Sequence, residues 1–360
     1  MGEKSKSSKI PFVGARSLAP IRGDVSEEDS TMVRCARAFA ASFERSPAGT
    51  RLHEIAKSAR CSRNAVKAHL DAAQRLGLLR LTVRLPKYES LSKRLAEKYG
   101  LAEGVVTRTP TDWSNQESVR SALSAEAIHY FSDFCTKFGE ARGEGSRMRI
   151  GLDGGETLYR AVRGAGGLTL PNLVYELVPL VFGPLKGPQF TASIVANVFA
   201  TALEADGAEV VVQDGFEIEA DWKHLTPGQG QVHFSIKMPS RENVSGLDLL
   251  LLGIGSTTAG LLQREMRHLS GVRRLSSNYF GDILNLAFDR DGREVGPIAR
   301  SRAVLLGLAD LRLLSKSSTA LVVGVAGGSA KVEAIRTVLR SGYISVLITD
   351  PFTATKLLEA

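Results

Sequence analysis

Three glycine clusters stand where chemistry could be done: Gly154 and Gly155 followed by Glu156, the stretch from Gly253 to Gly255, and Gly327 and Gly328 with Lys331 close behind. Glycine at the carboxyl end of a strand lets backbone N–H groups approach a ligand, and the N-terminus of a following helix favours an anion. One such loop is explained by the sterics of a tight turn. Three of them, one carrying Lys331, point to a ligand site where the loops meet. A second group lies nearer the N-terminus, where Ser62, Arg63, Asn64 and Lys67 begin a helical pattern. Arg and Asn can each make paired hydrogen bonds to base edges, and Lys can neutralise phosphate.

The elements that must position the glycine loops are legible from about Met148 onward. MRIGLDGGETLYRAV predicts a strand, then a helix beginning near Glu156; LDLLLLGIG predicts a buried strand from Leu247 to Gly255. STALVVGVAGGSAKVEAIRTVL predicts a strand ending at Gly324 and a helix after Lys331, and SGYISVLITDPFTATKLLEA adds a last strand and a terminal helix. Strands alternating with helices predict an α/β domain built on a mostly parallel, Rossmann-like sheet. In such sheets ligands bind outside the carboxyl ends of the strands.

The reader group sits in a different unit. In CSRNAVKAHLDAAQRLG, Val66, Leu70, Ala73 and Leu76 form an inward stripe, with Ser62 as N-cap and Gly77 as the stop. The preceding RLHEIAKSAR puts Leu52, Ile55, Ala56 and Ala59 on one face, so two short helices with a tight turn predict a helix-turn-helix. Beyond it, LLRLTVRL alternates Leu79, Leu81, Val83 and Leu85 with Arg80, Thr82 and Arg84, the pattern of a wing strand with arginines on its outer face. Charge favours the DNA reading. The chain carries 46 Lys plus Arg against 38 Asp plus Glu, and residues 51–100 alone hold 12 basic and 4 acidic residues, whereas residues 101–360 hold 26 and 28. A cationic excess confined to one small unit suits a module that neutralises phosphates. Arg80 and Arg84 are assigned to phosphate, Arg63 and Asn64 to bases.

Other classes are set aside. A dinucleotide fingerprint, a GxxxxGK[ST] phosphate loop, HExxH and GxSxG are missing, so no recognised catalytic machinery stands in the sequence. The three cysteines, Cys35, Cys61 and Cys135, are widely spaced and give neither a disulfide framework nor a metal site. No apolar run reaches a membrane span, the N-terminus has no signal core, and Lys6 stands where a myristoylation motif needs Ser or Thr, so a cytoplasmic protein is expected. Residues 1–25 read as a flexible arm, 26–86 as the DNA-binding domain, 87–145 as linker and connecting helices, and 146–360 as the effector domain. In the connecting region Leu91, Leu95 and Tyr99 share one helical face, and Val119, Leu123, Ala127, Ile128, Phe131 and Phe134 another. Each face suits either an oligomer contact or packing on its own domain.

From about Arg51 to Ala360 the chain resembles the SorC family of bacterial transcriptional regulators, the sugar-binding, DeoR-like branch. The residues that carry the resemblance are LHEIAKSARCSRNAVKAHLDAAQRLGLLRLTV, NYFGDILNLAFDRDGREV and, most specifically, VVGVAGGSAKVEAIRTVLRSGYISVLITDPFTATKLL. The resemblance implies a winged helix-turn-helix joined to a sugar- or sugar-phosphate-sensing domain, similar in fold to ribose-5-phosphate isomerase and glucosamine-phosphate deaminase. It implies double-stranded operator DNA and a carbohydrate effector as partners, a homo-tetramer or homodimer, and no cofactor.

By the same resemblance Asp282 accepts hydrogen bonds from sugar hydroxyls, Lys331 with Gly327 and Gly328 holds a phosphate or terminal hydroxyl, and Gly154, Gly155, Glu156 and Thr157 cradle the opposite end. Gly253, Gly255 and Ser256 complete the set. The first loop departs from the family, which has an aromatic residue in place of Gly154 and a hydroxyl residue in place of Glu156. A carboxylate there repels a dianionic phosphate, which leaves open an effector that is singly phosphorylated, reversed, or unphosphorylated. The competing class is a sugar-phosphate isomerase-like enzyme with an accessory basic domain, in which Asp282 would serve as acid or base. An RNA-binding adaptor is disfavoured because the basic unit lacks interleaved aromatics.

Overall fold

A computed structural model describes residues 31, 32, 34–36, 38, 39, 52–75, 88–107, 115–168, 170–182, 190–213, 217–221, 233–237, 246–258, 278–295 and 303–359. The chain divides into two compact units, residues 1–85 and 86–360.

In the first unit, helix α1 (Leu52–Ala59) and helix α2 (Arg63–Arg75) are joined by a three-residue turn, in which Arg60 takes a left-handed backbone (φ 55°) and the Cys61 amide closes onto Ala56 O at 3.0 Å. Ser62 caps α2, its Oγ accepting the Ala65 amide at 3.1 Å. Ile55, Ala56, Ala59 and Val66 are buried together with Cys35, whose sulfur lies 3.7 Å from that of Cys61. Both are free thiols, and burial, with Cys61 alongside, pushes the Cys35 thiol up to about 12. The expected stop at Gly77, the wing strand over 78–85 and the N-terminal arm lie outside the described residues.

In the second unit, the elements follow as α3 (Glu89–Tyr99), β1 (Glu103–Val106), α4 (Gln116–Arg142), β2 (Arg147–Leu152), α5 (Glu156–Arg163), β3 (Val174–Pro179), β4 (Val181–Phe182), α6 (Ala192–Glu204) and β5 (Glu209–Val212). Next come β6 (Glu217–Asp221), β7 (His233–Lys237), β8 (Leu249–Ser256), β9 (Gly281–Ile283), β10 (Leu286–Phe288), β11 (Ala303–Val304) and α7 (Leu308–Leu314). The chain ends through β12 (Leu321–Val325), α8 (Val332–Ser341), β13 (Val346–Thr349) and α9 (Pro351–Glu359).

Seven strands form a parallel sheet in the order β1-β13-β12-β8-β2-β3-β5. Strand β9 pairs antiparallel with β8, and β10 with β9. Strand β8 shows why the sheet is covered on both sides. Leu250, Leu252 and Ile254 enter one buried cluster, with Leu95, Leu311 and Val338; Leu249 and Leu251 enter the other, with Leu123, Phe131 and Phe199. A strand with helices on both faces can be apolar at every position, which is what LLLL encodes.

The segment 87–145, read from sequence as linker and connecting helices, builds part of this domain. Its strand β1 is the sheet edge beside β13, and its two helices pack against opposite clusters. Leu95 is fully buried, with Leu91 and Tyr99 packed on the same cluster, and Val119, Leu123, Ala127, Ile128 and Phe131 of α4 are buried against the other. Those two apolar faces therefore serve their own sheet. Asn115 Oδ1 starts α4 by accepting the amides of Glu117 and Ser118 at 3.0 and 3.3 Å.

The topology fixes where a ligand can sit. From β2 the chain winds outward through β3 to β5; from β8 it winds the other way through β12 to β13. Strands β2 and β8 are neighbours, so the loops after them part in opposite directions and leave a crevice at their carboxyl ends. No helix among the described residues is long and apolar enough to cross a membrane.

Candidate functional site

That crevice holds a cavity of about 170 Å³. Ten of the residues expected at the site line it. Gly154, Gly155, Glu156 and Thr157 come from the β2–α5 loop, Gly253 and Gly255 from β8, Asp282 from β9, and Gly327, Gly328 and Lys331 from the loop after β12. Ser256 is not in the lining; it is buried, with its Oγ 3.4 Å from that of Thr258, which does face the cavity.

Asp153, the residue after β2, organises the floor. One carboxylate oxygen accepts the Gly154 amide at 2.7 Å and the other the Gly253 amide at 3.1 Å, so a single side chain ties β2 to β8 at the point where their loops diverge. Burial pushes its carboxyl up to about 7; the amides of Gly154 and Gly253 hold it back and nearby Asp282 adds to the rise. Asp282 is also buried, and burial raises it to about 6 against the opposing pull of the Tyr279 hydroxyl, which donates to it at 2.6 Å, and of the Lys331 charge. Two carboxyls that would be fully ionised in water thus titrate near neutrality on one cavity wall. Asp282 is presented by the β9–β10 hairpin, whose two turn residues, Leu284 and Asn285, both take left-handed backbone (φ 54° and 57°).

Two of the glycines are needed for the close approach of a carboxylate. A Cβ at Gly255 would lie 2.2 Å from Asp282 Oδ1, and one at Gly327 2.2 Å from Asp350 Oδ2. Gly155 starts α5 with φ 115°, a backbone open to glycine, and its amide donates to Phe190 O at 2.7 Å. The Gly328 amide, expected at a phosphate or terminal hydroxyl, donates to Asp350 Oδ2 at 2.7 Å and Thr353 Oγ1 at 2.9 Å. Asp350 also caps α9, accepting the Thr353 amide at 2.9 Å, with Pro351 at the first helical position.

The rim is charged in alternation. Glu156 pairs with Arg120 of α4 at 3.1 Å and with Arg160 one turn along α5 at 2.8 Å; Glu117 pairs with the same two arginines. Sequence reasoning missed Asp153, Arg120, Phe190 and Asn285. Only Asp153 carried a local signal, an acid at a strand end directly before two glycines.

The reader residues belong to the other unit. Ser62, Arg63, Asn64 and Lys67 are all exposed on the first turns of α2, away from the stripe buried with Val66 and Ala73. Arg80 and Arg84 lie outside the described residues. Among the described residues no group of three or more His, Cys, Asp or Glu is placed to hold a metal ion.

Comparison with known proteins agrees with this architecture. The Sugar-bind family model, described as "Putative sugar-binding domain", matches residues 84–359. The chain is 26% identical over 312 residues to the Deoxyribonucleoside regulator of Bacillus subtilis (strain 168), covering 85% of this chain and 92% of that protein. Over 80 residues, 22% of this chain and 24% of the relative, it is 41% identical to the Transcriptional regulator LsrR of Escherichia coli O139:H28. In fold it is similar to the full-length sorbitol operon regulator SorC from Klebsiella pneumoniae (TM-score 0.58, 19% identity, 92% of this chain and 99% of that one). It is similarly related to a DeoR family transcriptional regulator from Listeria monocytogenes (TM-score 0.51, 15% identity, 75% and 98%).

Proposed function

We propose, from the premise that this chain belongs to the Sugar-bind family, that it is a DNA-binding transcriptional regulator whose affinity for operator DNA is set by a small carbohydrate. The observation that carries the reading is the cavity at the β2/β8 crevice, lined by two buried carboxyls and Lys331, in a chain whose cationic excess is confined to a separate unit. Buried carboxyls can accept hydrogen bonds from sugar hydroxyls, and a pocket of about 170 Å³ suits a small solute. In the other unit, the exposed start of α2 offers Arg63 and Asn64 to base edges and Lys67 to phosphate, with Arg80 and Arg84 as further phosphate contacts. The names of its relatives, a deoxyribonucleoside regulator and a sorbitol operon regulator, support binding in place of turnover. A homo-oligomer, dimer or tetramer, would present paired readers to a duplex.

Selecting bound duplexes from a random library, then titrating the winner at several salt concentrations, tests the reading. The expected result is a selected sequence whose affinity falls steeply with salt and responds to a free sugar or its phosphate. One observation favours the enzyme reading instead: Asp153 and Asp282 titrate near neutrality, as an acid–base pair would. Turnover of a sugar phosphate without salt-sensitive duplex binding would establish it.

A further inference from the structure

A phosphate ester needs donors that are still open to it, and four of the glycine amides around this cavity are already held by the protein's own acceptors. The Gly154 and Gly253 amides end on Asp153, the Gly155 amide on Phe190 O, and the Gly328 amide on Asp350. Arg120, the cation at the mouth, faces Glu156 at 3.1 Å, and the charge of Lys331 is felt by Asp282. Among the described residues the ionisable groups of the lining are three acids, Asp153, Glu156 and Asp282, against Arg120 and Lys331. Glu156 stands in the first turn of α5, where the helix dipole would otherwise draw a ligand's anion, and its side chain is only 18% exposed. Its carboxylate therefore takes up the helix dipole and the arginine together, and a second anion would meet it at short range across a medium that screens poorly.

We propose that the cavity takes an uncharged polyhydroxy ligand, a free sugar or polyol, and that Glu156 is the specificity-determining residue that excludes the phosphate ester. The inference rests on the carbohydrate-sensing reading above and narrows it. Hydroxyls donate to Asp153 and Asp282 on the floor, while Arg120 stays neutralised by Glu156 at the mouth. The first-loop glycines are then accounted for without a ligand's phosphate: a Cβ at Gly154 would meet Phe190 O at 2.5 Å, and Gly155 has a backbone φ of 115°.

The test uses the full chain in thermal-shift and calorimetric titrations with inorganic phosphate, and with matched pairs: D-ribose, 2-deoxy-D-ribose, D-fructose and D-glucitol, each beside its monophosphate. The expected result is that inorganic phosphate leaves the wild-type chain unshifted and that the bound sugar exceeds its phosphate by about tenfold or more in affinity. Glu156→Gln and Glu156→Thr should gain an inorganic-phosphate response and shrink that preference by about tenfold, whereas Glu156→Asp, which keeps the charge, should stay close to wild type. Inorganic phosphate stabilising the wild-type chain as much as Glu156→Gln would overturn the proposal. So would any sugar phosphate binding the wild-type chain as tightly as its free partner. If no panel member binds in either form, the carbohydrate reading fails, and the inorganic-phosphate arm alone still decides whether Glu156 excludes phosphate.

Discussion

Asp153 and Asp282 face one cavity from the two sides of β8, Asp153 at the end of β2 and Asp282 on β9; burial raises both carboxyls, and the Asp282 charge adds to the rise of Asp153. Asp153 is pinned by backbone amides across β2 and β8, and Asp282 by Tyr279 just before β9, so neither can swing out to water without breaking a hydrogen bond.

The first prediction is a pH dependence of stability. Asp153 rises from 3.8 to about 7 on folding, so the folded chain binds its proton more tightly than the unfolded chain. The stabilisation from the protonated form is complete below about pH 4 and is lost as pH rises through about 7. In Asp153→Asn the titration is gone while one amide acceptor remains. Thermal unfolding of wild type and Asp153→Asn across pH 5 to 8 should show the difference between them changing in that direction; a constant difference would contradict the shared-burial account.

The second prediction concerns Gly255. A methyl there overlaps the Asp282 carboxylate, so Gly255→Ala should destabilise by about 1–3 kcal/mol, as overpacking generally does. Because the clash is with one side chain, the double variant Gly255→Ala/Asp282→Ala should recover a measurable part of the loss. Chemical unfolding of the four members of the cycle gives the coupling, and strict additivity would place the strain elsewhere.

The third prediction is for the reader helix. Arg63→Ala and Asn64→Ala should relax sequence preference by about 1–3 kcal/mol, while Lys67→Ala and Arg84→Ala should weaken all duplexes alike and flatten the salt slope. Ser62→Ala removes the cap on α2 and should cost about 1 kcal/mol of stability. Competition binding with selected and scrambled duplexes separates the two kinds of contact.

How much of this was legible in the sequence depends on whether the signal was local. The strand runs before Gly154, Gly253 and Gly327, the helix starts after Gly155 and Lys331, and the buried stripe with Val66 and Ala73 all follow from spacing along a few neighbouring residues. The roles of the glycines did not follow. Their position after strands suggests donors to a ligand, but Gly255 and Gly327 are glycine because Asp282 and Asp350 lie over them, and those pairs are 27 and 23 positions apart in the chain. Asp153 acquires its meaning only from the neighbouring of β2 and β8, across about a hundred residues. The β9–β10 hairpin carried only half a turn signal: Asn285 suits a left-handed backbone, but Leu284 takes one that glycine or asparagine usually marks. Arg120 faces the cavity from a helix read as connecting, and single-residue pattern gives no measure of where such a helix docks.

The last prediction is the coupling between the units. A ligand in the cavity changes operator affinity only if it binds the DNA-competent and DNA-incompetent arrangements unequally, and the factor by which it changes DNA affinity equals the factor by which DNA changes its own. Within the cavity, Asp282 sits on a hairpin hung from β8, and Lys331 closes the turn that leads into α8, so a ligand touching both draws together two elements that the sheet alone does not fix against each other. Removing either hold should erase the difference between the two arrangements. Asp282→Asn and Lys331→Ala are therefore expected to bring the ratio of operator affinities with and without the stabilising sugar to one. The measurement is a fluorescence titration of selected duplex with each variant, run with and without the sugar at saturation for the wild-type chain. A wild-type ratio in both variants would place the sensing residues elsewhere, and reciprocity supplies an internal check: in the wild-type chain the duplex must shift sugar affinity by the same factor that the sugar shifts duplex affinity.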